Sequence, residues 1–121
     1  MKYESFRTVE SKAYPGVWLI LKRMSFSRRV DLMRRIRELA QRAEFLVAGE
    51  ETREQMDGAL ARAEIDRTYV DWGLEGVTGM EVDGAPVTAA MLAEAGPENL
   101  FREAVDAIKA ECGLTESERK N

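Results

Sequence analysis

The sequence predicts an α+β fold, mainly helical, formed by a single domain over residues 1–121. Three observations predict it. An N-terminal segment rich in β-branched and aromatic residues is broken by a Pro-Gly turn. Two long stretches then carry apolar residues at helical spacing. A glycine-rich, alternating segment follows and leads into two shorter C-terminal helices. At 45% apolar and 33% charged residues, the composition is that of an ordinary globular domain able to bury a modest core.

Residues 1–24 read as a β-hairpin. Phe6, Thr8, Val17, Trp18, Leu19 and Ile20 have strand-forming side chains. Tyr14-Pro15-Gly16 lies between them, with proline presetting φ and glycine supplying φ > 0. Residues 25–113 read as a helical core with a small β-element, and 114–121 as a C-terminal tail.

Ser25-Phe26-Ser27 offers N-cap residues for a helix running to about Ala48. Leu32, Ile36, Leu39, Ala43 and Leu46 mark one face of it, widened by Met33 and Ala40, and Gly49 suits its C-terminal cap. A second helix is expected from Thr52 to Trp72, with Met56, Leu60, Ala63 and Val70 on one face and Ile65 and Tyr69 beside it. The short link Gly49-Glu50-Glu51 predicts that the two helices pack antiparallel.

Val77, Met80 and Val82 alternate with polar residues before Asp83-Gly84, a two-residue hairpin turn, so residues 74–87 read as a small β-element. Thr88 caps a short helix reaching Ala95. Gly96-Pro97-Glu98 begins the last one, with Pro97 at its first helical position. Leu100, Phe101, Ala104, Val105 and Ile108 form its buried stripe. Gly113 ends it, Leu114 closes back on it, and Thr115 with Glu118 has capping-box spacing.

The chain has no histidine and one cysteine, Cys112. Ser-His and Cys-His nucleophile pairs, histidine metal sites and an internal disulfide are therefore excluded. Cys112 lies at a helix end, where the dipole disfavours a thiolate, and reads as a small core residue. Asp71, Glu75, Glu81 and Asp83 lack the ligand alternation of a Ca²⁺ loop. No enzyme, cofactor or metal is expected. No apolar run approaches 18 residues and no apolar signal region opens the chain, so a cytoplasmic protein that does not enter membranes is expected.

Charge is unevenly distributed. Residues 22–42 carry eight Lys/Arg against two acidic residues, a net +6. Residues 43–121 carry seven basic against eighteen acidic residues, a net −11. The basic helix from Arg28 to Arg42 has the charge to track a nucleic-acid backbone. It equally suits the acidic second helix or an acidic partner, and no DNA-binding pattern surrounds it. Trp72 reads first as a core anchor and otherwise as a partner-binding aromatic. Met24, Met33, Met56, Met80 and Met91 suit an adaptable surface, but their spacing places most of them in the core.

Several stretches carry a pattern together. They are Tyr14-Pro15-Gly16-Val17, Met24-Ser25-Phe26-Ser27-Arg28-Arg29, Ile65-Asp66-Arg67-Thr68-Tyr69-Val70-Asp71-Trp72-Gly73-Leu74, Gly79-Met80-Glu81-Val82-Asp83-Gly84, Gly96-Pro97-Glu98-Asn99-Leu100, and Leu114 to Asn121. Over nearly the whole chain this resembles the tail assembly chaperones of long-tailed bacteriophages and prophages. The resemblance implies a non-catalytic protein of virion morphogenesis. Such a protein binds the long helical tape-measure protein and keeps its apolar surfaces from aggregating until tail tube protein polymerises around it. It also implies a longer, frameshift-extended isoform as a further partner. Candidate contacts are Arg28, Arg29, Arg34 and Arg35 on the first helix, Trp72, and Val77, Met80 and Val82.

Lys120-Asn121 is encodable as AAA-AAC. With an Arg119 codon ending in A, the message would read A-AAA-AAC, on which ribosomes slip back one base. An Arg119 codon ending otherwise, or AAG or AAT in the last two codons, removes this site. Two other readings stand beside the chaperone: a small nucleic-acid-binding or regulatory protein using Arg28–Arg42, and a head–tail structural or adaptor protein.

Overall fold

The computed structural model describes residues 1–47 and 52–113, and only the helical backbone of residues 42–47. The element order is β1 (Phe6–Glu10), β2 (Trp18–Lys22), α1 (Phe26–Val47), α2 (Thr52–Gly73), β3 (Leu74–Val82), β4 (Ala85–Val87), α3 (Ala89–Ala95) and α4 (Glu98–Glu111). The fold is α+β and mainly helical, as the sequence predicts. The link Gly49-Glu50-Glu51, Leu114 and the Thr115–Glu118 capping pair lie outside the described residues.

The chain divides into two compact units. The first joins Met1–Met24 to the segment from Tyr69 onward. Its sheet has the order β1-β2-β3-β4, with every neighbouring pair antiparallel. β1 and β2 form the expected hairpin, Phe6 opposite Lys22 and Glu10 opposite Trp18. In their connection the Val17 amide donates to the Tyr14 carbonyl at 3.0 Å. Pro15 precedes Gly16 at φ 88°, the residue order of a type II turn. β3 and β4 meet at Asp83 (φ 51°) and Gly84 (φ 78°), as the Asp-Gly pair predicts for a type I′ hairpin.

The glycine-rich segment is more than a separate small element. β3 pairs with β2, Trp18 opposite Thr78 and Ile20 opposite Gly76, so both hairpins share one sheet. That pairing joins strands separated in the sequence by the two long helices, and no local signal in either strand encodes a contact at that separation.

Strand alternation sends Val17, Leu19 and Leu21 to one side of the sheet, where they are buried with Leu74, Val77 and Val87. Helices α3 and α4 pack on the sheet through β3 and β2. Their Leu92, Leu100, Ala104, Val105 and Ile108 are almost wholly buried. Each large aliphatic side chain so buried contributes about 1.5–3 kcal/mol. The last turn of α2 joins this core through Tyr69, Val70 and Trp72. Gly73 lies so near α4 that a Cβ there would fall 2.7 Å from Ile108 Cγ2.

Thr88 caps α3, its hydroxyl accepting from the Met91 amide at 3.1 Å. Pro97 is the N-cap of α4 and not its first helical residue. Its carbonyl accepts from the Leu100 and Phe101 amides, and its ψ of 131° is extended, so the helix begins one residue later than expected. Cys112 closes α4 as a buried C-cap.

The second unit is Ser25–Thr68. Ser25 opens α1, its hydroxyl accepting from the Arg28 amide at 3.2 Å. Leu32 is buried, and Ile36 and Leu39 are half-buried, as their spacing predicts. Met33, expected to widen that face, is 60% exposed. On α2 the expected face holds at its C-terminal end, where Val70 is buried with Tyr69, and is corrected toward the N-terminus. Met56 and Leu60 are 62% and 63% exposed, whereas Gly58 and Ala61 are buried and Ile65 is half-buried. The reason is geometric. Gly58, Ala61 and Ile65 fall at i, i+3 and i+7 on a different side of the helix from Met56, Leu60 and Ala63, and the small side chains are the ones turned inward.

One backbone contact limits the rim of the sheet. Gly79 sits at φ 86°, within the stretch where the β3–β4 register shifts between Val77 and Glu81. A Cβ there would lie 2.0 Å from the Gly16 carbonyl oxygen. Gly79→Ala is therefore expected to cost about 3 kcal/mol or more, combining positive-φ strain with a backbone clash. Gly16→Ala meets no atom within 4 Å and bears only its φ of 88°, so a cost of about 1 kcal/mol is expected. Urea unfolding of both variants checks the ranking; equal costs would remove the close-approach argument.

Candidate functional site

The Glu103 carboxylate on α4 accepts three hydrogen bonds from the β1–β2 connection. It accepts from the Ser11 hydroxyl at 2.7 Å, the Lys12 amide at 2.9 Å and the Ala13 amide at 3.2 Å. Ser11 is buried, and its oxygen also accepts from the Tyr14 amide at 3.0 Å. Nearby, Tyr14 donates to Asn99 Oδ1 at 2.8 Å and the Gly16 amide donates to Glu10 at 3.0 Å. The β1–β2 connection is thus tied to α4 by side chains that satisfy its amides.

Burial alone would raise the Glu103 pKa. The Ser11 hydroxyl, the two amides and the Lys12 charge outweigh it and hold the carboxyl below its ordinary value. A carboxylate so engaged is ionised at neutral pH and has no proton to donate, which suits a structural tie and not an acid catalyst. Arg7 of β1 reaches the same helix, pairing with Glu111 at 3.1 Å. Lys109 lies 5.3 Å from the Tyr69 ring centre. Asp83, one of the four acidic residues grouped in the sequence, is the hairpin turn residue. Among the described residues no group of three His, Cys, Asp or Glu side chains is arranged to hold a metal ion.

The candidate contact residues fall into two sets. Arg29, Arg34 and Arg35 are exposed on α1 and Arg28 is half-buried there. Arg35 donates to Asp31 at 3.0 Å. Trp72, Val77 and Val82 are 3%, 7% and 7% exposed, so all three are core side chains with almost no surface to offer a partner. Of that segment only Met80 is half-exposed. Val77 and Val82 are five residues apart, and strict alternation would send them to opposite sides. The register shift between Val77 and Glu81 instead pairs them with Val87 and Ala85, which share a side of β4. Trp72 anchors the end of α2.

Exposed apolar surface lies elsewhere. Among the described residues of α1 and α2, the exposed large apolar side chains are Phe26 (86%), Met33, Met56 and Leu60. On the sheet, the side opposite Leu19 and Leu21 carries Phe6, Trp18 and Ile20, with Phe6 37% and Trp18 40% exposed. The alternation Val17/Leu19/Leu21 against Trp18/Ile20 is readable in the sequence. It separates two sides without saying which one the C-terminal helices cover.

Glu103→Gln is expected to lower stability by about 1 kcal/mol at neutral pH, through loss of charge-assisted hydrogen bonds near the surface. The native group has a lowered folded pKa. Its stabilisation is therefore fully present above the ordinary carboxyl value of 4.5 and is lost as pH falls through the lower folded value. The variant should lack that part of the acid limb, so the two unfolding curves converge in acid. A gap that persists unchanged below the ordinary carboxyl range would contradict the assignment.

No protein-family model matches this chain, and no curated protein or solved structure does either.

Proposed function

We propose that the protein is a tail assembly chaperone of a long-tailed phage or prophage, acting in the bacterial cytoplasm by binding the tape-measure protein. The observation that carries the reading is the exposed apolar set Phe26, Met33, Met56 and Leu60, set among the arginines of α1 and α2. A protein that shelters another chain's apolar helices needs apolar surface that is accessible. It also needs that surface interrupted by charge, so that it does not aggregate with itself. The sequence pattern from Ile65 to Leu74 and from Gly79 to Gly84 supports the same reading, by its resemblance to that family. No helix among the described residues is long and apolar enough to cross a membrane.

The other participants would be a longer, frameshift-extended isoform, and tail tube protein, which polymerises around the tape-measure protein. The basic side of α1 favours one competing reading, nucleic-acid binding, whose signature is an affinity that falls steeply with salt.

Co-expression with the tape-measure protein encoded in the same gene cluster tests the proposal. The tape-measure protein is expected to become soluble and to copurify through a tag on this chain. Intact masses of tagged products from the native gene should include a minor, longer −1-frame species. A tape-measure protein that stays insoluble and unbound, beside tight salt-sensitive binding of duplex DNA, would replace the chaperone with the nucleic-acid reading.

A further inference from the structure

Helix α1 carries two apolar stripes. The inner one is Leu32, Ile36 and Leu39, buried or half-buried. The outer one is Phe26, Val30 and Met33, continued by Arg37. At 3.6 residues per turn these four lie within an arc of about 60°, roughly 120° round from the inner stripe. Phe26 and Met33 are 86% and 60% exposed, Arg37 is exposed and Val30 is half-buried.

The spacing of the outer stripe is four, three, four, and Ala40 extends it by three more. This is the a/d spacing of a coiled-coil seam. With Val30 and Arg37 at a, and Phe26, Met33 and Ala40 at d, Arg29 occupies a g position and Arg34 an e position. Both are exposed. The described acidic side chains of α1, Asp31 and Glu38, lie beyond Arg34 on the far side, and Asp31 is engaged by Arg35. The seam is therefore flanked and interrupted by positive charge only.

The physical chemistry of that seam selects its occupant. A second copy of the same stripe would set Arg29, Arg34 and Arg37 against the same arginines, a like-charge juxtaposition that opposes docking. A nucleic-acid backbone would answer the arginines but leave Phe26 and Met33 without an apolar contact. A membrane-surface helix presents a broader apolar arc and a polar opposite face. Here the arc is narrow and the side bearing Leu32 is core. A single helix with its own narrow apolar seam and acidic flanks satisfies both features.

We propose that the outer stripe of α1, Phe26–Val30–Met33–Arg37 with Arg29 and Arg34 beside it, docks an acidic amphipathic helix in coiled-coil fashion. The partner carries apolar residues at a and d and Asp or Glu at e and g. The proposal rests on the chaperone reading only for the source of that helix, a segment of the tape-measure protein. Helix α2 repeats the apolar spacing with Met56, Leu60, Ala63 and Arg67 but not the basic flanks. Asp57 and Glu64 stand at its e positions and Asp66 at a g position, so the acidic partner is assigned to α1 alone.

Two synthetic helical peptides test it, identical in Leu at a and d, one bearing Glu and the other Lys at e and g. Binding to the full chain is followed by fluorescence anisotropy, with circular dichroism confirming that each variant keeps its helix content. The Glu peptide should bind about tenfold or more tighter than the Lys peptide. Met33→Asp should abolish that binding, and R34E/R37E should invert the preference. Equal binding of the two peptides, binding of neither, or an unchanged preference in R34E/R37E overturns the proposal. So does binding of duplex DNA or phosphatidylserine vesicles in place of the Glu peptide.

The same variants separate this inference from the chaperone reading. If R34E/R37E holds the tape-measure protein as well as the native chain does, the docking seam is wrong and the chaperone reading stands. If the peptide preference inverts while the tape-measure protein is never held, the seam stands and its assigned source is wrong.

Discussion

Helix α4 can bury only one stripe, and the sheet beneath it can be covered on only one side by the two short C-terminal helices. Most of the first unit follows from that. Leu100, Ala104, Val105 and Ile108 are almost wholly removed from water, as are Leu19 and Leu21 of the central strand β2. Because the side-chain period in a strand is two, burying Leu19 and Leu21 commits Trp18 and Ile20 to the opposite side, and a slip of one residue would invert both sets. The β2–β3 pairing then becomes favourable, since it sets Leu19 opposite Val77 within the same covered layer.

Local features hold that register at its ends. Glu103 gathers three donors from the β1–β2 connection and so ties the hairpin to the helix that covers it. Gly79 lets β3 pass close to the Gly16 carbonyl, an approach that any side chain would obstruct. Gly73 does the same where α2 meets Ile108. These are individually modest contributions of about 1–3 kcal/mol, yet against a total stability of about 5–15 kcal/mol for a typical domain each is appreciable.

The Ser25–Thr68 unit follows a different logic. Its inward residues include Gly58 and Ala61, which bury little apolar area, while Phe26, Met33, Met56 and Leu60 remain accessible. Helices with large apolar residues on the outside and small ones inside leave part of their hydrophobic stabilisation to be realised in a complex. Arginines at Arg29, Arg34 and Arg37 limit which complex that is. The division of labour is physical: the sheet unit supplies a closed core, and the helical unit supplies surface.

Much of this was legible in the sequence. Pro15-Gly16 and Asp83-Gly84 located the turns, Ser25 and Thr88 the helix starts, and the stripe Leu100–Ile108 the buried face of α4. Each is set by local backbone preference or by strong periodicity over a few residues. Val70 and Tyr69 were legible as inward residues of α2, but the face of its N-terminal part was not, because Met56, Leu60 and Ala63 keep helical spacing as faithfully as Gly58, Ala61 and Ile65. Periodicity finds stripes but does not say which one has a neighbour. Trp72, Val77 and Val82 were open to a surface role for the same reason. Only the tertiary structure decided that β3 joins β2 across two intervening helices, and which side of the sheet α3 and α4 cover. Both depend on contacts between residues far apart in the chain, where the stabilisation comes from area buried collectively and not from any propensity of the residues involved.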